Sequence, residues 1–404
     1  MTPVDAELGG YAEVRGSWQF GVDGQEWNLV ERVRPRFEIA PAERLTAQVV
    51  VEAGFQQGRD VAFETADLLL DSPVGDLLDA ASCTYVDTPV YGQASEYLRV
   101  ERLHVDLNLP AIDLTIGRQA VNWGSGLVFR PSDLYTEVVA TEPWRERRGV
   151  NAIKAEVPIG DHSIVGLVAL DDDLTGLDAE EPELPISGAL RVTARVGGMD
   201  LAAVGRADWL GRWFAGADLR GTLGVGWWVE GGWRDDGEGV DGAVEVVAGV
   251  DYSFPVLQVL YVAAEYRYDG SGSLPDDYDW STRAGFSTMP FDCAFLPDTP
   301  PGTRTSLGVH YLDGSLRLGV TEDVSVAGVV IANVLDGTGI VVPNVSVLAG
   351  PRVTVSAGAQ IPFGVDGEYR PGEDVTTVTV GTATADLSSL LPVATAQAWV
   401  RYAF

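Results

Sequence analysis

Most of the chain consists of segments in which apolar and polar residues alternate over ten or more positions. In residues 44–56, the apolar side chains from Leu45 to Phe55 form one face, and Thr46, Gln48 and Glu52 lie on the other. A period of two places successive side chains on opposite faces of an extended strand, and no helix sustains this pattern. The sequence therefore predicts an all-β protein.

The predicted strands have the length that a tilted strand needs to cross a bilayer, roughly ten residues. There are about eighteen of them, and a closed single-chain barrel requires an even number. Their approximate ranges are 7–20, 27–40, 44–56, 97–109, 111–121, 148–158, 161–171, 186–197, 199–210, 212–222, 224–235, 240–254, 257–268, 305–320, 322–335, 339–349, 351–362 and 392–404.

Composition narrows the remaining classes of protein. Apolar residues make up 46% of the chain, but none of their runs approaches the eighteen or more that a transmembrane helix requires. No linker divides the sequence, so we expect a single domain over residues 1–404. The formal net charge of −32 excludes a nucleic-acid binder. Residues 1–10 lack the basic and apolar regions of a signal peptide, so for an exported protein we expect that peptide to be absent from this sequence.

The connections between the predicted strands sort by length. Those after even-numbered strands are short, and every long one follows an odd-numbered strand: 57–96, 122–147, 171–185, 269–303 and 363–391. A membrane barrel has short turns at one end and longer loops at the other, whereas a soluble sandwich or propeller has no reason to sort them. The five long loops contain 30 acidic and 6 basic residues, which is −24 of the net −32. We therefore expect one strongly acidic rim.

Two regions of the sequence resemble known membrane barrels. The last residues, 392–404, place Val400, Tyr402 and Phe404 on one face and end on an aromatic, which resembles the C-terminal strand of bacterial outer-membrane β-barrels. The stretch GRQAVNWG at 117–124 and the region 311–364 resemble a porin-like group of these barrels. The resemblance implies short periplasmic turns, long extracellular loops, surrounding lipid and lipopolysaccharide, and recognition of the Phe404 strand by the insertion machinery. It leaves monomer and trimer open.

The arginines fall mainly on the polar faces of the strands, so we expect them to line a lumen. Arginine stays charged and binds carboxylate or phosphate with two parallel hydrogen bonds. The charges between 218 and 267 alternate in sign, which predicts a wall of cross-strand ion pairs with arginines elsewhere less compensated. The predicted lumen and substrate-pathway residues are Arg15, Arg32, Arg34, Arg36, Arg102, Arg118, Arg191, Arg195, Arg220 and Arg267.

The loop 122–147 differs from the other long loops because it carries basic residues. In the porin-like group, the loop after such a hairpin folds towards the lumen, so the resemblance implies a constriction element here. Residues 130–134, RPSDL, also suggest the start of a helix. A solvated loop is the alternative. The predicted constriction residues are Trp123, Arg130, Arg145, Arg147 and Arg148.

Two further features of the loops suggest bound ions or cross-links. Asp171, Asp173 and Glu181 are candidate Ca²⁺ ligands, because Ca²⁺ prefers several carboxylate oxygens; the spacing of an EF-hand is missing, and a solvated acidic loop is the alternative. Cys83 and Cys293 lie in long loops on the same side of the predicted barrel, so a disulfide between them is possible in an oxidising compartment.

No motif indicates catalysis. The chain has three histidines and lacks HExxH, P-loop and GxSxG sequences, so we expect neither an enzyme nor a cofactor. The pattern favours a bacterial outer-membrane channel for passive transport of polar, anionic solutes. Two alternatives remain: a barrel that exports an acidic polysaccharide, and a plugged structural or assembly barrel that binds a partner through its loops.

Overall fold

The computed structural model describes residues 5–20, 25–58, 84–85, 95–135, 146–147, 149–170, 186–209, 211–235, 242–278, 291–292, 306–371, 377–380, 383–386 and 393–404. Its main element is one sheet of eighteen antiparallel strands that closes into a barrel. In chain order the barrel strands are β1 Asp5–Phe20, β2 Gln25–Ala42, β3 Leu45–Gly58, β4 Ser95–Asn108, β5 Asp113–Gln119, β6 Val150–Ile159, β7 His162–Leu170, β8 Ile186–Val196, β9 Met199–Asp208, β10 Trp213–Thr222, β11 Gly226–Asp235, β12 Ala243–Phe254, β13 Val259–Asp269, β14 His310–Gly319, β15 Val324–Asn333, β16 Gly339–Leu348, β17 Val353–Phe363 and β18 Ala394–Ala403.

The first and last strands close the barrel. Strand β1 pairs with both β2 and β18, and the β1–β18 register runs from Tyr11 opposite Ala403 to Phe20 opposite Ala394. The backbone N–H of Phe404 donates to the carbonyl of Gly10 at 3.0 Å. Because each strand is paired on both sides, no strand of the sheet is left with an open edge. The predicted all-β barrel of eighteen strands is confirmed.

The sorting of connections by length is also confirmed. The connections after even-numbered strands are 43–44, 109–112, 160–161, 197–198, 223–225, 255–258, 320–323 and 349–352. All of them lie at the end of the barrel where β1 begins and β18 ends, which we call the turn end. The other end is the loop end. Gly160 and Gly224 have φ values of 60° and 80°, a conformation that the tight turns require and that glycine adopts without strain.

The outer surface of the barrel is apolar and the inner surface carries most of the charge. Leu190 on β8 and Val14 on β1 point outwards, while Glu13 and Arg401 point inwards. Exposed aromatic side chains flank the apolar band near both ends, as is typical of membrane barrels: Trp18, Trp27, Trp213 and Trp233 near the loop end, and Tyr252, Phe254, Tyr402 and Phe404 near the turn end.

Helices contribute almost nothing in the described residues. A single turn of 3₁₀-helix, Pro275–Asp277, is present. In these parts of the chain no helix is both long and apolar enough to span a membrane.

Some strand boundaries differ from the prediction. Strand β14 begins at His310 and not at 305, because the backbone N–H of Leu307 donates to the Glu368 side chain and leaves the ladder. Strand β5 ends at Gln119, where the chain turns into the barrel. Two small pairings inside the long loops were not predicted, since strands this short carry little periodic signal: Thr84–Tyr85 with Phe291–Asp292, and Thr377–Val380 with Ala383–Asp386.

The assignment of faces predicts how the barrel tolerates charge. Replacing Leu190, which lies near the middle of β8 and faces outwards, by Arg should destabilise the barrel in lipid vesicles by about 2–4 kcal/mol. The same replacement at Thr193, on the inner face of the same strand, should cost less than about 1 kcal/mol. Denaturant unfolding followed by tryptophan fluorescence measures both. Equal losses for the two variants would contradict the assignment.

Candidate functional site

The candidate site is the lumen, and the segment that shapes it is residues 120–135, which we call the inner loop. After β5 the chain bends into the barrel and lies against the opposite wall. Gly124 has φ 85°, and a Cβ at this position would stand 2.6 Å from Glu230 Oε1. Only glycine allows the backbone to approach this carboxylate so closely. The backbone therefore bends sharply in the NWGSG stretch, residues 122–126.

Glu230 of β11 binds the inner loop through backbone and side-chain donors. Its Oε2 accepts the N–H groups of Ser125 at 2.7 Å and Gly126 at 3.0 Å, and its Oε1 accepts the N–H and the hydroxyl of Ser132, both at 2.7 Å. The side chain is fully buried. Four donors thus replace the water that the carboxylate loses.

Glu265 of β13 binds the middle of the inner loop in the same way. It accepts the backbone N–H groups of Leu127, Val128 and Phe129 at 2.8–3.2 Å, and the indole N–H of Trp228 at 2.9 Å. The sequence predicted that Glu265 belongs to a ladder of ion pairs in the wall. That role is wrong for both Glu230 and Glu265, because loop amides and not arginines are their partners.

Apolar contacts cover the wall on either side of these two glutamates. Val121 and Trp123 at the start of the inner loop pack in a cluster with Leu167, Val204 and Phe214 on β7, β9 and β10. A second cluster joins Val128 to Tyr311, Ile331, Ile340 and Val342 on β14 to β16. The inner loop therefore covers the wall from β6 to β16. A signal for this exists in the sequence, since β7 is apolar on both faces, which is typical of a strand covered on both sides.

A segment of the last long loop, residues 364–371, covers β14 to β16 at the loop end. Its Glu368 is fully buried and accepts the N–H of Leu307 at 2.9 Å, the hydroxyl of Tyr311 at 2.5 Å and the amide of Asn333 at 2.8 Å. The side chain of Tyr369 packs against the same cluster as Val128. Two loops therefore narrow this half of the lumen.

The wall that the inner loop leaves free carries a group of charged side chains on β1, β2, β3 and β18, which we call the arginine group. Glu13 binds Arg32 at 2.8 Å and Arg401 at 2.7 Å. Glu52 binds Arg34 at 3.3 Å and lies 3.7 Å from Arg32. The guanidinium of Arg401 stacks on the ring of Tyr11, with its Cζ 4.1 Å from the ring centroid. This cation–π contact orients the guanidinium.

Residues 146–147 connect the arginine group to the inner loop. Glu146 lies 3.1 Å from Arg34 and 4.0 Å from Arg401. Its neighbour Arg147 accepts a hydrogen bond from Arg102 on its carbonyl at 2.7 Å and binds Asp133 of the inner loop at 2.5 Å. Residues 146–147 therefore contact both the arginine group and the inner loop.

The other predicted lumen arginines divide into three locations. Arg36 pairs with Glu38, and Arg195 and Arg220 share Asp200; these three arginines are more than half exposed and lie in the water-accessible part of the barrel towards the turn end. Arg191 lies 3.4 Å from Asp218 on the wall. Arg267 is buried beneath the inner loop, bonded to Glu245 and Asp269, with its guanidinium 4.1 Å from the centroid of the Phe129 ring.

The remaining predicted residues are placed less directly. Arg15 lies opposite Val30 and Trp399 in the β-ladders, and Arg118 is next to the last residue of β5. Arg130 bonds the carbonyl of Gly126 and the side chain of Asn122 within the inner loop. Seven residues lie outside the described part of the chain: Arg145, Arg148, Asp171, Asp173, Glu181, Cys83 and Cys293.

The helix predicted to start at residues 130–134 does not form within 130–135. A single turn closes between the N–H of Asp133 and the carbonyl of Arg130 at 3.0 Å. The N–H and hydroxyl of Ser132 are bonded to Glu230. The chain around Ser132 therefore follows the wall at Glu230 instead of continuing the turn.

Solved structures with the same fold are outer-membrane barrels. Acinetobacter baumannii OccAB1 matches with a TM-score of 0.55 at 9% identity, over 99% of this chain and 96% of that chain. Pseudomonas aeruginosa OccK2 in complex with glucuronate matches with 0.54 at 11%, over 99% and 98%. Wzi, a carbohydrate-binding outer-membrane barrel involved in group 1 capsule assembly in Escherichia coli, matches with 0.53 at 12%, over 99% and 85%. At these identities the likeness concerns the fold alone. No protein-family profile and no curated protein sequence matches the chain.

One carboxylate in the wall beside the inner loop receives no hydrogen bond from the part of the chain that the structure describes. Asp313 of β14 is directly opposite Glu265 in the ladder and is almost fully buried. Among the described residues, neither of its oxygens has a hydrogen-bond partner, whereas Glu265 accepts four hydrogen bonds. A buried charge without donors costs several kcal/mol. The two neighbours should therefore respond in opposite ways when the carboxyl group is replaced by an amide.

Replacing Glu265 by Gln should destabilise the barrel by about 3 kcal/mol, because hydrogen bonds to a charged group contribute roughly 1.5–3 kcal/mol each and several are weakened together. Replacing Asp313 by Asn, its matched control, should leave stability unchanged or raise it. Thermal unfolding followed by circular dichroism measures the difference. A larger loss for Asp313→Asn than for Glu265→Gln would contradict the anchoring role of Glu265.

Proposed function

We propose that the chain is a porin-like channel of the bacterial outer membrane that passes polar, anionic solutes through the free part of its lumen. The observation that carries the proposal is the position of the arginine group, on the wall that the inner loop leaves uncovered. A solute crossing between the loop end and the turn end has to pass these guanidinium groups. The fold that the chain shares with OccAB1 and OccK2 supports a channel in this membrane.

The balance of charge beside the passage favours anions. Arg32, Arg34 and Arg401 face Glu13, Glu52 and Glu146, and a fourth arginine, Arg102, bonds backbone carbonyls in place of a carboxylate. This leaves an excess of positive charge at the narrow part of the lumen. Guanidinium groups bind carboxylates in a fixed, two-bond geometry. The glucuronate bound by OccK2, a barrel of the same fold, is a solute of this chemistry.

The proposal includes the orientation of the protein as a single domain in the membrane. The turn end faces the periplasm, the acidic loops face outwards beside lipopolysaccharide, and the apolar outer face meets lipid. The insertion machinery would read the β18 strand with Tyr402 and Phe404 on its lipid face. These assignments rest on the outward apolar band and on the sorted connections.

A second candidate is a plugged barrel that binds a partner or a carbohydrate and conducts nothing. The coverage of β6 to β16 by the inner loop, and of β14 to β16 by residues 364–371, favours it. Wzi, which shares the fold, binds carbohydrate and takes part in capsule assembly. Export of a polysaccharide chain has less support, because a wide passage would require the inner loop to release two buried carboxylates.

Planar-bilayer recording separates these candidates and locates the selective charge. Arg34→Ala should lower the chloride-to-potassium permeability ratio by about fivefold, since one charge at about 4 Å in water contributes about 1 kcal/mol. Arg352→Ala, the same change in an exposed turn, should leave the ratio unchanged. The absence of any current through the native protein would favour the plugged barrel. An unaltered ratio in Arg34→Ala would remove the arginine group from the pathway.

The inner loop also predicts a pH dependence of selectivity. Burial raises the pKa of Asp133 to about 6, although the guanidinium groups of Arg147 and Arg130 oppose the rise. As the pH falls through about 6, Asp133 gains a proton and Arg147 loses its charged partner. The lumen becomes more positive, so anion preference should increase below this pH.

Reversal potentials measured between pH 5 and pH 8, a range that brackets the pKa of Asp133, test this expectation. Asp133→Asn isolates the contribution of this one group, because it should show the acidic-side preference throughout and lack the step. If Asp133→Asn retained the full change in anion preference near pH 6, that change would belong to another titratable group and not to Asp133.

A further inference from the structure

Glu146 differs from the other carboxylates of the arginine group in its exposure. The side chains of Glu13 and Glu52 are 1% and 7% exposed, whereas that of Glu146 is 40% exposed. Glu13 and Glu52 come from barrel strands, and Glu146 comes from the connection after the inner loop. Two carboxylates are therefore built into the wall, and the third stands at the surface of the passage.

The guanidinium groups that Glu146 contacts are held in place by other residues. Arg34 bonds Glu52 through Nη1 and offers Nη2 to Glu146. Arg401 bonds Glu13 through Nε and Nη2 and directs Nη1 towards Glu146. Each guanidinium is thus held by a glutamate of the wall and directs one further nitrogen at Glu146.

We propose that Nη2 of Arg34 and Nη1 of Arg401 form a binding site for one solute carboxylate. Glu146 occupies this site as an internal competitor when no solute is bound. The inference rests on the proposed channel function and concerns the regulation of its pathway. The position of the Glu146 carboxylate, Oε2 at 3.1 Å from Arg34 and Oε1 at 4.0 Å from Arg401, shows the group that the site accepts.

The strength of this internal contact suits displacement. The Glu146 side chain is 40% exposed and its second contact, to Arg401, is 4.0 Å long, so water screens the contact and the side chain loses rotational freedom in making it. The pairs of Glu13 with Arg32 and Arg401 are almost fully buried on the glutamate side and remain when Glu146 leaves. A solute carboxylate can therefore replace Glu146 without an unpaired charge being left in the wall. The released Glu146 carboxylate is solvated in the lumen.

If Glu146 competes with a solute carboxylate, its variants should behave differently from variants that change only the net charge of the lumen. Glu146→Gln removes both the competitor and one negative charge. Glu146→Asp keeps the charge but shortens the side chain by one methylene, which withdraws the carboxylate from Arg34. Under competition both variants should bind a solute carboxylate more tightly. Glu43→Gln, in an exposed turn at the turn end, is the control for loss of one negative charge away from the arginine group.

The experiment is block of the potassium chloride current by gluconate in planar bilayers, with glucose as the uncharged probe. The half-blocking concentration of gluconate should fall by up to about fivefold in Glu146→Gln, the range expected for loss of one half-exposed ion pair. It should fall in Glu146→Asp while the chloride-to-potassium permeability ratio stays at the native value. Glu43→Gln should behave as the native protein does, and glucose should block none of them.

The outcomes separate the inference from the function on which it rests. Native gluconate affinity in both Glu146 variants, with anion preference intact, overturns the competitor and leaves the channel standing. Tighter block in Glu146→Gln alone assigns the effect to net charge and also overturns it. A native protein that carries no current removes the proposed channel, and the inference with it.

Discussion

The architecture of the lumen depends on two buried carboxylates in the barrel wall that accept the backbone amides of the inner loop. The inner loop forms no regular structure, so its N–H groups need acceptors once they are removed from water. Glu230 and Glu265 need donors for the same reason. The loop donates to the two glutamates, so both sets of groups are paired. Together the glutamates accept seven hydrogen bonds from the loop and one from Trp228. Withdrawal of the loop would leave both the charges and the amides without partners, so the loop is fixed against the wall.

The position of the inner loop determines which part of the inner wall is covered by apolar contacts and which part carries exposed charged side chains. From β6 to β16 the inner wall contributes apolar residues such as Leu167 and Ile340 that pack against the inner loop. Polar solutes gain nothing from that surface. The arginine group therefore lies on the only wall, within the described residues, that the inner loop does not cover. Towards the turn end the loop is absent, and Arg195 and Arg220 are well exposed there. One loop and its two anchors thus separate a covered apolar wall from an uncovered charged one.

Most strands could be predicted from sequence because they obey the same local constraint. One face meets an apolar surface and the other does not, so alternation identifies the strand and its orientation; β7, which is apolar on both faces, is an exception. The partners of Glu230 and Glu265 could not be predicted in this way. Alternation places both side chains inwards, but the loop groups that donate to them are 98 to 138 residues away in the chain. A local pattern of charges suggested arginine partners, and a loop that returns through the lumen displaced them.

The arginines show why charge counted along a sequence does not give the charge felt by a solute. The sequence predicts Arg32 and Arg34 on a poorly compensated face, and the structure pairs both of them with Glu13 or Glu52. Several guanidinium groups so close together would repel one another without such carboxylates. Compensation by buried glutamates therefore holds the arginines in position. Arg34 and Arg401 are each held by such a glutamate, and each directs one further nitrogen at Glu146.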